Sequence, residues 1–249
     1  MRLPESWPVL FSLTLIVVSM AGCITKPDSS SATPVAFHPV TEATEVTPVL
    51  ASVIAAPRPA TLSTGSICLN YELMVMNASR VAMTIESLEI LDPQRSHARI
   101  ALLSRNDIGT NLHLPGVNKP TAVLGPAQSG YIRVNLSFTE HDKIPLVLDH
   151  IITVTTKKPY GPVLPKMVEK VARTYVKSGP VPVIGPPLKG DRWVAIAVGG
   201  NGYHRTTIMP LNGHWIAPER WAVDWIKIDD NNRLVTGDPS KNESWPQYG

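Results

Sequence analysis

The chain has 249 residues, with 23 Lys and Arg residues against 20 Asp and Glu residues and a net charge of +3. This charge is too small, and the basic residues are too scattered, for a nucleic-acid-binding surface. The chain has two cysteines, Cys23 and Cys68, so covalent modification of Cys23 would leave Cys68 without a disulfide partner. Stability must then come from an ordinary core, in which Cys68 is predicted to be a small buried hydrophobic residue.

Residues 1–22 have the pattern of a secretory signal peptide. Their apolar run, residues 9–22, has the length of a signal-peptide core and is too short to span a bilayer. The run ends in SMAGC, which resembles the lipobox of bacterial lipoproteins. The resemblance implies lipidation of Cys23, and we therefore expect a lipid-anchored protein of the bacterial cell envelope. In a Gram-negative cell it would lie at the outer membrane or face the periplasm.

Residues 23–62 are rich in Pro, Ala, Thr, Ser and Val and show no sustained period of either 2 or 3.6. This composition predicts a disordered, extended tether between the membrane and the folded part of the chain.

Residues 63–158 are predicted to form a β-sandwich. Leu69, Tyr71, Leu73 and Val75 alternate with polar residues, as in a half-buried strand. Three further strands are predicted in MTIESLEIL, which ends before Asp92-Pro93, in YIRVNLSF and in HIITVTTK. Short strands between turns, without long stretches of period 3.6, are typical of an all-β sandwich.

Residues 159–189 are rich in proline and are predicted to be a linker. Within this range KMVEKVARTYV could form a short amphipathic helix or a strand, and its pattern does not decide between them.

From Asp191 onwards the chain becomes rich in aromatic residues and glycine. It contains GNGYHR at residues 200–205, RWAVDW at residues 220–225 and GDPSKNESWPQYG at residues 237–249. As a set, these motifs resemble the opening of the catalytic domain of lysostaphin/LytM-type zinc metallopeptidases, which cut peptide cross-links in peptidoglycan. The resemblance covers residues 190–249 and extends more weakly to the preceding sandwich and linker. It implies a mainly β protein, with an N-terminal sandwich followed by an incomplete, β-rich peptidase-like segment.

The metal motif that this resemblance implies is only half present. The family has His-x-x-x-Asp, whereas this chain has Arg220 in place of the histidine and Asp224 at the aspartate. The family's second motif, His-x-His, would lie beyond Gly249. Because a catalytic zinc usually has three protein ligands, we expect a truncated and non-catalytic relative with no bound cofactor.

Asp224 lies between Val223 and Trp225, where a carboxylate needs a partner. Arg220, Arg205 and backbone N–H groups are the candidates, because an arginine fork can satisfy both carboxylate oxygens. The alternative is a zinc site formed by His204, His214 and Asp224, which are spaced ten residues apart and would supply two imidazoles and a carboxylate.

Six aromatic residues are concentrated in this segment: Trp193, Tyr203, Trp215, Trp221, Trp225 and Trp245. Such a cluster can line a glycan or peptide groove, but in a small module it more often forms the core, which is the interpretation favoured here.

Three functions follow from these patterns. The first is a lipid-anchored envelope protein related to peptidoglycan metallopeptidases but without catalysis. The second is an envelope binding or scaffolding lipoprotein, which would contact peptidoglycan or an envelope protein through its sandwich. The third is a zinc hydrolase that uses His204, His214 and Asp224.

Overall fold

A computed structural model describes residues 46–139, 141–179, 183–198, 204 and 207–248. The described residues belong to one compact unit that begins at Thr44. The predicted signal peptide, the predicted lipidation site Cys23 and the first part of the predicted tether lie outside them. Among the described residues, no helix is long and apolar enough to cross a membrane.

The central part of the chain forms two antiparallel sheets and one short helix. The elements, in chain order, are β1 Val49–Val53, β2 Pro59–Thr61, β3 Ile67–Asn77, β4 Met83–Asp92, β5 Ala98–Ser104, α1 Arg105–Asn111, β6 Leu112–His113, β7 Val123–Leu124, β8 Ser129–Phe138, β9 Val147–Thr155 and β10 Lys166–Tyr175. The first sheet has the order β1-β3-β8-β6, with β2 also paired to β3. The second sheet has the order β10-β9-β4-β5, with β7 also paired to β4.

The core lies between the two sheets and contains the residues that alternation places on their inner faces. From the first sheet these include Leu69, Tyr71 and Leu73 on β3, all fully buried. From the second sheet Leu88 on β4 and Ile152 on β9 pack into the same cluster. Side chains at every second position of a strand share a face, so the sequence pattern itself selects this core.

The predicted fold class, mainly β with an N-terminal sandwich, is confirmed. The four strands predicted from alternation correspond to β3, β4, β8 and β9. The strand β4 ends at Asp92, and a 3-10 turn follows at Pro93–Arg95. The Asp92 carboxylate accepts a hydrogen bond from the backbone N–H of Gln94 and so caps this turn.

Two predicted boundaries are wrong. Strands β1 and β2 lie inside the range 23–62 that was predicted to be tether, and both pair with β3. Their apolar residues were hidden in a Pro- and Ala-rich composition, and pairing with a long neighbouring strand supplies the order that the local sequence lacks. Strand β10 lies inside the predicted linker 159–189 and pairs with β9, which resolves KMVEKVARTYV as a strand.

A buried polar pair crosses the core. The Tyr71 hydroxyl lies 2.7 Å from His150 Nε2, and His150 Nδ1 lies 2.9 Å from the carbonyl oxygen of Ala172. Because a carbonyl can only accept, Nδ1 carries the proton and the Tyr71 hydroxyl donates to Nε2. Ala172 lies in a β-bulge of β10 and has a φ of 46°, which turns its carbonyl towards the imidazole. Burial lowers the pKa of His150 to about 4, so the ring is neutral in the core.

We expect Tyr71→Phe to lower the free energy of unfolding by about 1–3 kcal/mol, because it leaves the buried Nε2 of His150 without its donor. Tyr175→Phe is the matched control, since Tyr175 is 71% exposed. Its unfolding free energy should change by less than about 0.5 kcal/mol. Urea denaturation of the two variants tests this, and equal midpoints would show that the Tyr71 hydroxyl contributes nothing.

A second buried polar contact joins the edges of the two sheets. Glu169 on β10 is 2% exposed, and its Oε2 accepts a hydrogen bond of 3.1 Å from the backbone N–H of Val49 at the start of β1. Burial raises the pKa of Glu169 to about 7, because a charged carboxylate loses its hydration there.

Candidate functional site

The C-terminal segment comprises residues 190–248, and its described residues form two pairs of strands: β11 Trp193–Val198 with β14 Val223–Lys227, and β12 Met209–Leu211 with β13 His214–Ile216. The β12–β13 hairpin turns at Asn212-Gly213, where both residues have positive φ, 50° and 78°. Asn-Gly favours this geometry, so the local sequence determines the turn. The segment is β-rich, as predicted.

Asp224, on β14, has His204 as its partner. His204 Nε2 lies 2.9 Å from Asp224 Oδ1, and His204 Nδ1 lies 3.1 Å from Glu219 Oε2. The His204 side chain is 9% exposed, whereas those of Glu219 and Asp224 are 38% and 50% exposed. The Thr207 hydroxyl donates a 2.8 Å hydrogen bond to the same Glu219 oxygen. One imidazole therefore bridges two carboxylates at the rim of the segment.

This bridge favours the protonated imidazole. The hydrogen bond to Glu219 is the largest cause and raises the pKa of His204; burial, the next largest, lowers it, and the charge of Asp224 raises it further. The same contact lowers the pKa of Glu219, helped by the Thr207 hydroxyl. Because folding raises the His204 pKa, the bridge stabilises the fold fully below the pKa of an unfolded histidine, about 6.5. The contribution is lost as the pH rises through the folded value.

We expect His204 to titrate above the ordinary histidine value, with Glu219→Gln moving its pKa back down. Two-dimensional NMR of the imidazole protons measures this directly. Glu243→Gln removes an exposed carboxylate elsewhere in the segment and should leave the His204 titration unchanged. Equal His204 titration in wild type and Glu219→Gln would contradict the bridge.

Arg220 was predicted as a partner of Asp224, and this prediction is wrong. Its guanidinium Nη2 instead donates to Glu72 Oε2, in the middle of β3 of the sandwich. Glu72 is fully buried and Arg220 is 9% exposed. Arg220 lies in the turn at residues 218–221, before the strand that carries Asp224, and from this turn it reaches the sandwich instead. The other predicted partner, Arg205, lies outside the described residues.

Glu72 belongs to a polar layer on the outer face of the first sheet. It lies directly opposite Arg133 of β8 in the strand register. Beside them the rings of His113 and Tyr131 stack with centroids 5.5 Å apart. Burial and the charge of Arg133 lower the pKa of His113, and burial raises that of Tyr131. Arg220 therefore attaches the C-terminal segment to this face through a buried ion pair.

The residues present do not fit a zinc ion. His204 and Asp224 come together, as the zinc alternative required, but both ring nitrogens of His204 face carboxylates. His214 is exposed on the separate β12–β13 hairpin. Across the described ranges, no group of three or more His, Cys, Asp or Glu side chains could hold a metal ion. The alternative ligand set of His204, His214 and Asp224 is therefore not assembled in the part of the chain that the structure describes.

The segment also carries an apolar groove of about 830 Å³. Three indoles, those of Trp193, Trp221 and Trp225, line it together with Pro186 and Pro187. Trp221 and Trp225 are 44% and 42% exposed, so the prediction that these aromatic residues form a core is wrong for both. Tyr203 lies outside the described residues. We call this feature the tryptophan groove.

Sequence reasoning missed Glu72 and Glu219. Glu72 stands at an ordinary outward position of an alternating strand, where a solvated carboxylate is the usual outcome. Its partner is 148 positions away in the sequence, and no local pattern links the two. Glu219 precedes Arg220 directly, and its contact with His204 depends on a turn whose geometry the spacing does not reveal.

No protein-family model and no curated protein matches this sequence. Among solved structures, the chain is similar to a FixG-related protein from Vibrio parahaemolyticus, with 16% identity and a TM-score of 0.29, over 53% of this chain and 100% of that chain. It is also similar to the structural genomics target SoR45, with 9% identity and a TM-score of 0.30, over 57% and 93% of the two chains. With TM-scores of this size, neither similarity assigns a function.

Proposed function

We propose that this protein is a lipid-anchored binding protein of the bacterial cell envelope, related to peptidoglycan-cleaving zinc metallopeptidases but not catalytic. Cys23 carries the lipid, and the tryptophan groove takes a segment of the wall polymer. The motifs at residues 200–205, 220–225 and 237–249 support the relationship, and the SMAGC sequence supports the anchor.

The tryptophan groove is the observation that carries the proposal. Indole rings present large, rigid apolar faces that stack on sugar rings and peptide side chains at little cost in conformational entropy. The volume of the groove lies in the range of ligand sites, roughly 300–1,000 Å³. The proline pair gives the groove a stiff stretch of lining, because proline fixes its own φ angle. Such a groove binds its ligand without supplying a nucleophile or a general base.

The polar residues next to the groove support binding over hydrolysis. Asp224 and His204 hold each other, and Glu219 occupies the second nitrogen of the imidazole. Arg220 stands where the family resemblance implies a histidine, and it is committed to Glu72. In this arrangement His204 and Asp224 make contacts within the C-terminal segment, and Arg220 makes a contact with the sandwich.

The test is a pull-down of the purified protein with insoluble peptidoglycan. We expect the wild type to sediment with the polymer and Trp221→Ala/Trp225→Ala to lose at least about tenfold in affinity, since buried aromatic anchors dominate such interfaces. Tyr175→Ala is the matched control, because Tyr175 is an exposed aromatic residue on the sandwich. It should bind as the wild type does.

Three results would contradict the proposal. Equal sedimentation of the double tryptophan variant and the wild type would show that the tryptophan groove does not bind the polymer. Absence of sedimentation for the wild type, with capture of an envelope protein through the sandwich instead, would favour a scaffolding lipoprotein. Release of soluble muropeptides by the wild-type protein would overturn the non-catalytic assignment.

A further inference from the structure

The outer face of the second sheet carries a second cleft, of about 570 Å³, which none of the predicted functions uses. Its floor is a cross-strand row, because Thr84 of β4 pairs with Val123 of β7 on one side and with Thr155 of β9 on the other. Val81 and Ala82 add apolar side chains to the lining. We call this feature the second-sheet cleft.

A β-bulge shapes the polar end of the second-sheet cleft. The register of β4 against β9 shifts between Ile85 and Ser87, so Glu86 is the extra residue. Bulges re-aim side chains and are common beside functional sites. Here Glu86 accepts a 2.6 Å hydrogen bond from the Thr155 hydroxyl and lies 3.7 Å from the guanidinium of Arg105. The carboxylate that lines the cleft is therefore already engaged.

The charges that remain around the second-sheet cleft are positive. Lys157 and Lys158, in the turn after β9, line its mouth and are exposed. Together with Arg105 they place three cationic groups against the one carboxylate of Glu86 among the lining residues. A cleft that combines the apolar side chains of Val81, Ala82 and Val123 with a cationic mouth fits a molecule that has an apolar chain and an anionic head.

We propose that the second-sheet cleft binds an anionic amphiphile, with its apolar chain on Val81, Ala82 and Val123 and its carboxylate or phosphate head at Lys157 and Lys158. Such a head can belong to a free fatty acid or to a phospholipid, and the two sources share the chemistry that the cleft recognises. This inference is independent of the tryptophan groove, which lies in the C-terminal segment.

The probe is 11-(dansylamino)undecanoate, whose fluorescence rises in an apolar site, titrated into the purified full-length protein. We expect saturable binding, displacement by dodecanoate, and at least about tenfold weaker binding of the neutral methyl ester. Co-sedimentation with phosphatidylglycerol vesicles and with phosphatidylcholine vesicles distinguishes the lipid source from the free acid.

Two sets of variants locate the binding. Lys157→Glu/Lys158→Glu should weaken probe binding at least about tenfold, because it reverses both charges at the mouth. Lys119→Glu/Lys241→Glu makes the same change of net charge at exposed sites outside the cleft and should bind as the wild type does. Ala82→Trp, at an exposed position, fills the apolar end and should abolish binding without disturbing the core.

Each contrary result overturns the proposal. Equal affinity for the acid and its ester would remove the role of the lysines, and an equal loss in the control pair would show that only global charge matters. Unchanged binding in Ala82→Trp would place the probe elsewhere. Binding to phosphatidylglycerol vesicles without binding of the soluble probe would replace the cleft by a charged membrane-facing surface.

Discussion

Arg220→Ala is expected to be the most destabilising single substitution in the C-terminal segment. It removes the guanidinium that faces the fully buried carboxylate of Glu72. Loss of one partner from a buried ion pair costs about 3–5 kcal/mol, because the remaining charge is less well compensated away from water. The measurement is urea unfolding, followed both by tryptophan fluorescence and by far-UV circular dichroism.

The two signals separate local from global effects. The described tryptophans lie in the C-terminal segment, whereas most strand residues lie in the sandwich. We expect the fluorescence transition of Arg220→Ala to precede the circular dichroism transition, because the segment should detach first. Coincident, unshifted transitions would show that the pair does not hold the segment.

Two further variants identify the cause of the effect. Arg99→Ala breaks a 3.4 Å pair with Glu89 on the surface of the second sheet, and should cost no more than about 1 kcal/mol. Glu72→Met/Arg220→Met removes both charges and should be more stable than Arg220→Ala, because an apolar pair avoids the desolvation cost. A double variant as unstable as Arg220→Ala would indicate lost packing in place of an unbalanced charge.

Glu169→Gln is expected to change how stability depends on pH. Folding raises the pKa of Glu169 from 4.5 to about 7, so the folded state binds this proton more tightly than the unfolded state does. The stabilising contribution of the protonated Glu169 side chain to the free energy of unfolding is fully present below pH 4.5 and is lost as the pH rises through about 7. At pH 8 the free energy of unfolding is therefore lower by about 3 kcal/mol, since each unit of pKa difference corresponds to about 1.4 kcal/mol.

The glutamine side chain of the Glu169→Gln variant keeps an oxygen that can accept the hydrogen bond from Val49 but carries no charge at any pH. The variant should therefore match the wild type near pH 4.5 and exceed its free energy of unfolding at pH 8 by about 3 kcal/mol. Urea denaturation at the two pH values provides the comparison. Parallel pH profiles for the two proteins would show that Glu169 has the same pKa in the folded and unfolded states, so that burial does not raise it.

The sandwich was predictable where alternation is regular. On β3 the apolar positions Leu69, Tyr71 and Leu73 alternate with polar ones, and the structure buries all three. Strand β5 and helix α1 were not predicted, although Ser104 and Asp107 form a capping box at the start of α1. The helix spans only Arg105–Asn111, which is too short to show a 3.6-residue period.

The site was less predictable than the fold, because its contacts are distant in sequence. Asp224 was expected to need a partner as a buried carboxylate, but its side chain is 50% exposed, and the two arginines considered for it were chosen by proximity along the chain. The actual partner is His204, and Arg220 crosses to the sandwich. Charge pattern alone cannot distinguish these pairings, because each places a cationic side chain next to a carboxylate.

Because the buried Glu72 holds the C-terminal segment on one outer face of the sandwich, the two outer faces differ. The C-terminal segment with its tryptophan groove is fastened to the outer face of the first sheet, while the second-sheet cleft opens on the outer face of the other. The intervening double layer is about 10 Å thick between sheet planes, which prevents steric competition between occupants of the two sites. Under the two proposals, one molecule would hold a polymer and an amphiphile on opposite faces of the sandwich, as a spacer with two independent attachment points.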